Sequence, residues 1–312
     1  MKIELTDETK AVLDKSLDEK IAYIKQESWI NYPLAQTILE ELEDILKYEQ
    51  GKDRVTSVLL VGSSNNGKTS LLKRLIELHP PFDLFKTNPE KLTKEFFDKY
   101  EATGIPIKYI VSPSEPSENR LYSTILESMN APFKHNESTA KKQYLVEYYI
   151  KLLNIEMLII DEIHNILSGS VARQKQVLNG IKNLSNNLKI PIVLSGTKDA
   201  LRAISTDTQI SSRFRPVYLK KWKMDKDYVN LLATIISTLP LKNESDILNP
   251  KTAQEILNIS DGYIGDIIAL IDKASIFALK NNKERITIKE IKECGYSSME
   301  NARKSISLQD IW

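Results

Sequence analysis

The 312-residue sequence has one cysteine, Cys294, which excludes an internal disulfide and a cysteine-rich metal site. Its three histidines, His79, His135 and His164, stand far apart and show no ligand spacing. No run reaches the ~18 apolar residues of a membrane span, and the opening MKIELTDETKAVLDK is charged where a signal peptide is apolar. Neither sign of charge is in excess: 43 Lys and Arg stand against 42 Asp and Glu. No global basic field therefore draws the chain to nucleic acid, and such binding needs a local patch or a surface made by assembly. Glycine (10) and proline (12) are too scarce for a collagen-like or mucin-like chain, and repeats and low-complexity tracts are lacking. The expectation is a soluble, cytoplasmic protein with no membrane partner, long enough to fold without a metal or disulfide staple.

Over residues 1–50, apolar positions such as Leu34, Ile38, Leu42, Ile45 and Leu46 recur at near-helical spacing, with Tyr32-Pro33 as punctuation. From Ser57 the period changes. SVLLVG (57–62) has the apolar content of a buried parallel strand, and the following KTSLLKRLIELH reads as a helix stopped by Pro80-Pro81. Further apolar runs at 107–111, 156–160, 191–195 and 216–219 alternate with helical patterns at 119–129, 140–153 and 171–188. Strands alternating with helices predict a parallel sheet covered on both faces. Beyond Trp222 the pattern is helical throughout, with an N-cap and first-position proline at Asn249-Pro250 and a capping box at Thr287–Glu290. The predicted organisation is a helical extension (1–50), an α/β core (51–222), a helical lid (223–295) and a tail (296–312) whose Ile311 and Trp312 could dock on a neighbour.

Gly62-Ser63-Ser64-Asn65-Asn66-Gly67-Lys68-Thr69 satisfies the P-loop pattern G-x-x-x-x-G-K-[ST], with a predicted strand before it and a helix, including Ser70, after it. The glycines let backbone N–H groups curl around phosphates, and the helix N-terminus adds a favourable dipole. ATP and Mg2+ follow as expected ligands: Lys68 reaches the β- and γ-phosphates and Thr69 meets the metal. Met157-Leu158-Ile159-Ile160 then ends in Asp161-Glu162. Acids at the carboxyl edge of a parallel strand lie where α/β sheets bind ligands. Asp161 would hold Mg2+ through its water shell, and Glu162 would orient or deprotonate the attacking water.

The strand at 191–195 runs into Ser195-Gly196-Thr197, where Ser195 or Thr197 can sense the γ-phosphate. Together with Glu162 it points to the additional-strand subclass of P-loop ATPases. Arg213 and Arg215 in SSRFRP suit an arginine finger that completes a neighbour's site, and either could serve. The lid turn Asp261–Asp266 carries no arginine. His164 is a switch residue or a plain cap, and Tyr32 an adenine stack or core.

Several blocks resemble the TniB/TnsC family of transposon-encoded AAA+ ATPases: Trp29–Pro33, GSSNNGKT, MLIIDEIHNIL (157–167), PIVLSGT, SSRFRP and Gly262–Gly265. The order of NNGKT, DEIHN and SRFRP is much narrower than the P-loop alone, and the likeness runs from about residue 20 to residue 295. The resemblance implies an AAA+ parallel-sheet core with an all-helical lid. It also implies an ATPase that assembles head to tail on duplex DNA as a ring or filament. Such proteins link a TniQ-like target selector to a DDE transposase, and hydrolysis drives disassembly. By the same resemblance, DNA contacts fall at 112–120 and 134–142, offering Arg120, Lys134, Thr139, Lys141 and Lys142.

Two other readings use the same core: a helicase loader or replication initiator, and a nucleotide-gated DNA scaffold with negligible turnover. The absent lid arginine favours the second.

Overall fold

A computed structural model of the chain describes residues 3–84, 103–206 and 208–298. Ile311 and Trp312 lie outside the described residues. The residues fall into two compact units, one of residues 38–64 and 68–219, the other of the residues up to Thr37, Asn65–Gly67 and those from Lys220 on.

The first unit is a five-stranded parallel sheet. Its strands are β1 (Ser57–Val61), β2 (Ile107–Val111), β3 (Met157–Asp161), β4 (Ile192–Gly196) and β5 (Phe214–Tyr218), in the spatial order β2-β3-β4-β1-β5. The three inner strands are buried at every position, while the two edge strands are only partly so. That is why the inner strands read as unbroken apolar runs. β5 begins two residues before the expected PVYL run. Pro216 is accommodated because β5 is an edge strand, paired on one side with β1 and with no ladder to feed on the other. Helices Glu118–Ser128, Thr139–Leu152 and Val171–Leu188 complete one core with the sheet, centred on residues such as Leu121, Tyr122, Val146, Ile160 and Leu184.

The strand lying spatially between the P-loop strand β1 and the acid-bearing strand β3 is β4; the run at 107–111 forms an edge. This arrangement is the additional-strand pattern.

The second unit is helical. Lys226–Ser237, Pro250–Ser260, Ile264–Lys280 and Ile288–Glu293 are joined by the N-terminal helices Asp7–Val12 and Leu17–Ile24. Asn249 caps its helix with proline in the first turn, and Thr287 and Glu290 form the capping box. Lys20, buried on its helix, holds Glu284 at 3.0 Å, and Thr6 N–H donates to the Ser237 carbonyl at 3.0 Å.

Candidate nucleotide site

The P-loop leaves β1 at Gly62, whose N–H donates to the Gly196 carbonyl of the neighbouring strand at 3.1 Å. A Cβ at Gly62 would press on Leu219 at 3.3 Å, so the backbone passes too close for a side chain. Asn65 (φ 62°) and Gly67 (φ 80°) adopt left-handed conformations and turn the loop into the helix Lys68–Leu78. Lys68 is 5% exposed, and its Nζ donates to the carbonyls of Gly62 and Ser63, both at 2.9 Å. Burial lowers its pKa, opposed by the charges of Glu162 and Asp161. The ammonium is thus held at the loop's mouth by neutral partners, ready for an anion. Ser63 is half-buried, Ser64 and Ser70 are exposed, and Asn66 is buried.

Asp161, 1% exposed at the end of β3, is the hub of the site. Its Oδ2 accepts from Thr69 Oγ1 at 2.8 Å and from Tyr109 Oη at 2.9 Å, and its Oδ1 accepts from the Glu162 N–H at 2.8 Å. A hydroxyl that donates to Asp161 still has lone pairs to offer a cation. Thr69 and Asp161 therefore make a hard-oxygen pair suited to Mg2+, which takes most of its remaining ligands from phosphates and water. No cluster of three or more His, Cys, Asp or Glu ligands exists among the described residues, so a dedicated all-protein metal cage is not the design here. Tyr109 carries no motif and is legible only once β2 lies beside β3, with Tyr109 opposite Ile159.

Glu162 takes a left-handed turn (φ 54°) directly after the strand, and its Oε2 lies 3.0 Å from His164 Nε2. His164 thus engages the acid itself. Ser195 is fully buried within β4, whereas Thr197 is half-buried just past the strand's carboxyl end.

The two arginines lie elsewhere. The register Ser57↔Phe214 to Val61↔Tyr218 places Arg213 at the amino edge of the sheet, while the P-loop springs from the carboxyl edge. Five strand residues, about 16 Å, separate the edges. Arg213 shares a cleft with Ser212 and Arg54, whose Nη2 donates to the Ser212 carbonyl at 2.9 Å. Arg54 was not foreseen from sequence. Arg215, on the strand, is ion-paired with Glu41.

The DNA-contact candidates gather on the helix pair 118–128 and 139–152. Lys134 and Lys141 are exposed, Arg120 is paired with Glu127 at 2.9 Å, and Thr139 Oγ1 accepts from Asn119 at 3.3 Å. Lys142 corrects the expectation. It is 1% exposed, and its Nζ donates to Asn119 Oδ1 (2.8 Å), Ser123 Oγ (2.9 Å) and the His135 carbonyl (2.8 Å). A buried ammonium with three protein acceptors braces the helix pair and is not available to a phosphate.

In the helical unit, Asn65 Nδ2 donates to Asp266 Oδ2 at 2.7 Å, and Tyr296 Oη donates to the other oxygen at 2.6 Å. Asp266 thus holds the crown of the loop where the family pattern leads one to look for an arginine. Tyr32 is core: it is 7% exposed and packs edge-on against Trp222, with centroids 5.2 Å apart. Burial pushes its phenol up to about 12.

A P-loop strand and an acid-bearing strand separated by one inserted strand define the AAA+ class of α/β nucleotide-binding folds. Solved structures agree on the fold. Cdc6p from Pyrobaculum aerophilum matches with a TM-score of 0.57 at 18% identity, over 92% of this chain and 74% of that one. The Aeropyrum pernix ORC1 protein in complex with DNA matches with a TM-score of 0.55 at 12% identity, over 88% and 68%. Domain III of the Thermotoga maritima replication initiation protein DnaA gives 0.51 at 14% identity, over 86% and 93%. No curated protein matches the chain in sequence. The family described as Bacterial TniB protein matches residues 20–224, and the chain belongs to that family.

Proposed function

We propose that this protein is an ATP-hydrolysing regulator of DNA transposition that assembles head to tail on duplex DNA. It would link a TniQ-like target selector to the transposase, with hydrolysis releasing the assembly. The observation that carries the reading is the separation of Arg213 from the chain's own P-loop by the full length of the sheet. An arginine finger so placed serves only a second copy's nucleotide, which makes the active unit a pair of subunits and the assembly open-ended.

In each site Lys68 binds the β- and γ-phosphates, Thr197 meets the γ-phosphate, and Glu162 takes the proton of the attacking water. Mg2+, held by Thr69 and through water by Asp161, supplies charge neutralisation between the phosphates. Arg213 of the adjoining subunit stabilises the charge that develops on transfer. Arg215 stays with Glu41 as a structural pair. Family membership supports the transposition role.

Electron microscopy of the protein with duplex DNA tests the reading, comparing a slowly hydrolysed ATP analogue, ADP and no nucleotide. Regular rings or filaments are expected with the analogue alone. Monomers in all three states would overturn it.

A further inference from the structure

The helix Thr139–Leu152 is built the wrong way round for an ordinary surface helix. It buries Lys142 with Val146 and Ile150, and it turns two tyrosines outward. Its exposed positions are Ala140, Lys141, Tyr144, Tyr148 and Lys151, and no others on the helix. At 100° per residue these five fall within about 100° of arc, so they form one stripe along the helix. Tyr144 is 60% exposed and Tyr148 49%. The helix has one acid, Glu147, and it is turned off the stripe: half-buried, it accepts from Gln143 at 3.0 Å and from Asn187 at 2.8 Å. The outward surface therefore presents two ammonium groups and two phenols with no carboxylate. Lys141 lies with its Nζ 5.0 Å from the Tyr144 ring centre, so cation and hydroxyl face solvent side by side.

We infer that this stripe is a docking surface for the sugar–phosphate backbone of duplex DNA. Charge complementarity selects the occupant. Lys141 and Lys151 are ten residues apart, about 15 Å along the helix, and a duplex of that length carries about nine phosphate charges. Lysines supply the charge, and phenol hydroxyls donate to phosphate oxygens, which fixes register without reading bases. Two exposed tyrosines between two lysines thus amount to a sequence-independent backbone grip. Lys142, inside the helix, keeps the grip rigid by tying it to Asn119, Ser123 and the 135 carbonyl. The inference rests on the duplex-DNA reading above and adds to it the surface responsible.

The test is fluorescence anisotropy of the full chain on a labelled duplex, with a slowly hydrolysed ATP analogue, as salt is varied. Three proteins are compared, after confirming equal thermal melting: wild type, Lys141→Gln/Lys151→Gln and Tyr144→Phe/Tyr148→Phe. The double lysine variant is expected to bind at least ~10-fold more weakly at moderate salt. Its log K against log salt slope should shrink by about 2, since each lost phosphate contact removes about 0.9. The tyrosine variant is expected to weaken binding with the slope unchanged. If the wild type binds and both variants match it in affinity and slope, the stripe is not the DNA surface, although the DNA reading survives. If the wild type fails to bind DNA in any nucleotide state, the DNA reading itself falls and takes this inference with it. Loss of self-association with DNA affinity intact would make the stripe a protein interface and overturn the assignment.

Discussion

Tyr109 donates its hydroxyl to the same carboxylate oxygen of Asp161 that Thr69 uses, at 2.9 and 2.8 Å. With the Glu162 N–H on the other oxygen, three of about four acceptor positions of Asp161 are taken. The carboxylate can turn only one remaining direction to a metal-bound water. Burial, with the charge of Asp161 beside it, raises the Tyr109 pKa and keeps the phenol a donor.

Tyr109→Phe should therefore leave the fold and ATP affinity near wild type while loosening Asp161. Outer-shell partners of metal ligands typically contribute 10–100-fold. The Mg2+ concentration giving half-maximal ATP hydrolysis is expected to rise by about 10-fold, and a magnesium titration at saturating ATP reads it directly. An unchanged titration would leave Tyr109 as packing.

Glu162 and Lys68 should separate hydrolysis from binding. Glu162→Gln is expected to lower turnover at least ~100-fold, the contribution of a positioned general base, with nucleotide affinity retained. Lys68→Ala should lose binding itself, because the buried Nζ is the cation held at the loop's mouth. Equilibrium binding of a fluorescent ATP analogue, set beside phosphate release, distinguishes the two.

Arg213 acting on a neighbour predicts complementation. Arg213→Ala alone should lower turnover by ~1000-fold or more. Mixed with Glu162→Gln, which keeps its arginine, it should regain measurable phosphate release at the interfaces that pair an intact Glu162 with an intact Arg213. A mixture no more active than its components would show that the arginine does not act between subunits. Arg215→Ala should differ, costing only the pair with Glu41.

Lys142 should matter to stability and not to DNA. Lys142→Ala strands the Asn119, Ser123 and His135 acceptors, a loss of roughly 2 kcal/mol or more. That amounts to a drop of at least ~4 °C in melting temperature for a unit of this size. The folded fraction should bind duplex DNA with the wild-type salt dependence.

Asp272 predicts a pH dependence. Burial pushes its carboxyl up to about 7 from the ordinary 3.8. Between those values the folded protein holds a proton that the unfolded chain has released, so stability is greatest at the acid end of this window and declines as pH rises towards 7. Asp272→Asn should flatten that limb and raise the melting temperature at pH 8 by ~2 °C or more. Thermal melts from pH 5 to 8 read the difference.

Gly62–Thr69, Asp161 and Glu162 were legible because each belongs to a local pattern, a glycine-bearing loop or an apolar run ending in acids, whose chemistry follows from adjacent residues. Lys142 was misread for the same reason. A lysine between Lys141 and Gln143 on a polar helix looks exposed, and only the packing of helices 118–128 and 139–152 puts it inside. Tyr109 and Arg54 gave no local signal at all. Their partners, Asp161 and the Ser212 carbonyl, lie 52 and 158 positions away.

The sequence by itself determined the strand and helix periods, the phosphate loop, the acid pair and the helix caps, since these depend on contacts within a few residues. The tertiary structure decided which strand separates β1 from β3, that Arg213 stands at the far edge of the sheet, that Asp266 grips Asn65, and which face of helix 139–152 meets solvent. Those are matters of which buried surfaces pair across long chain separations, and pairing is settled by the packing of the whole core rather than by any local pattern.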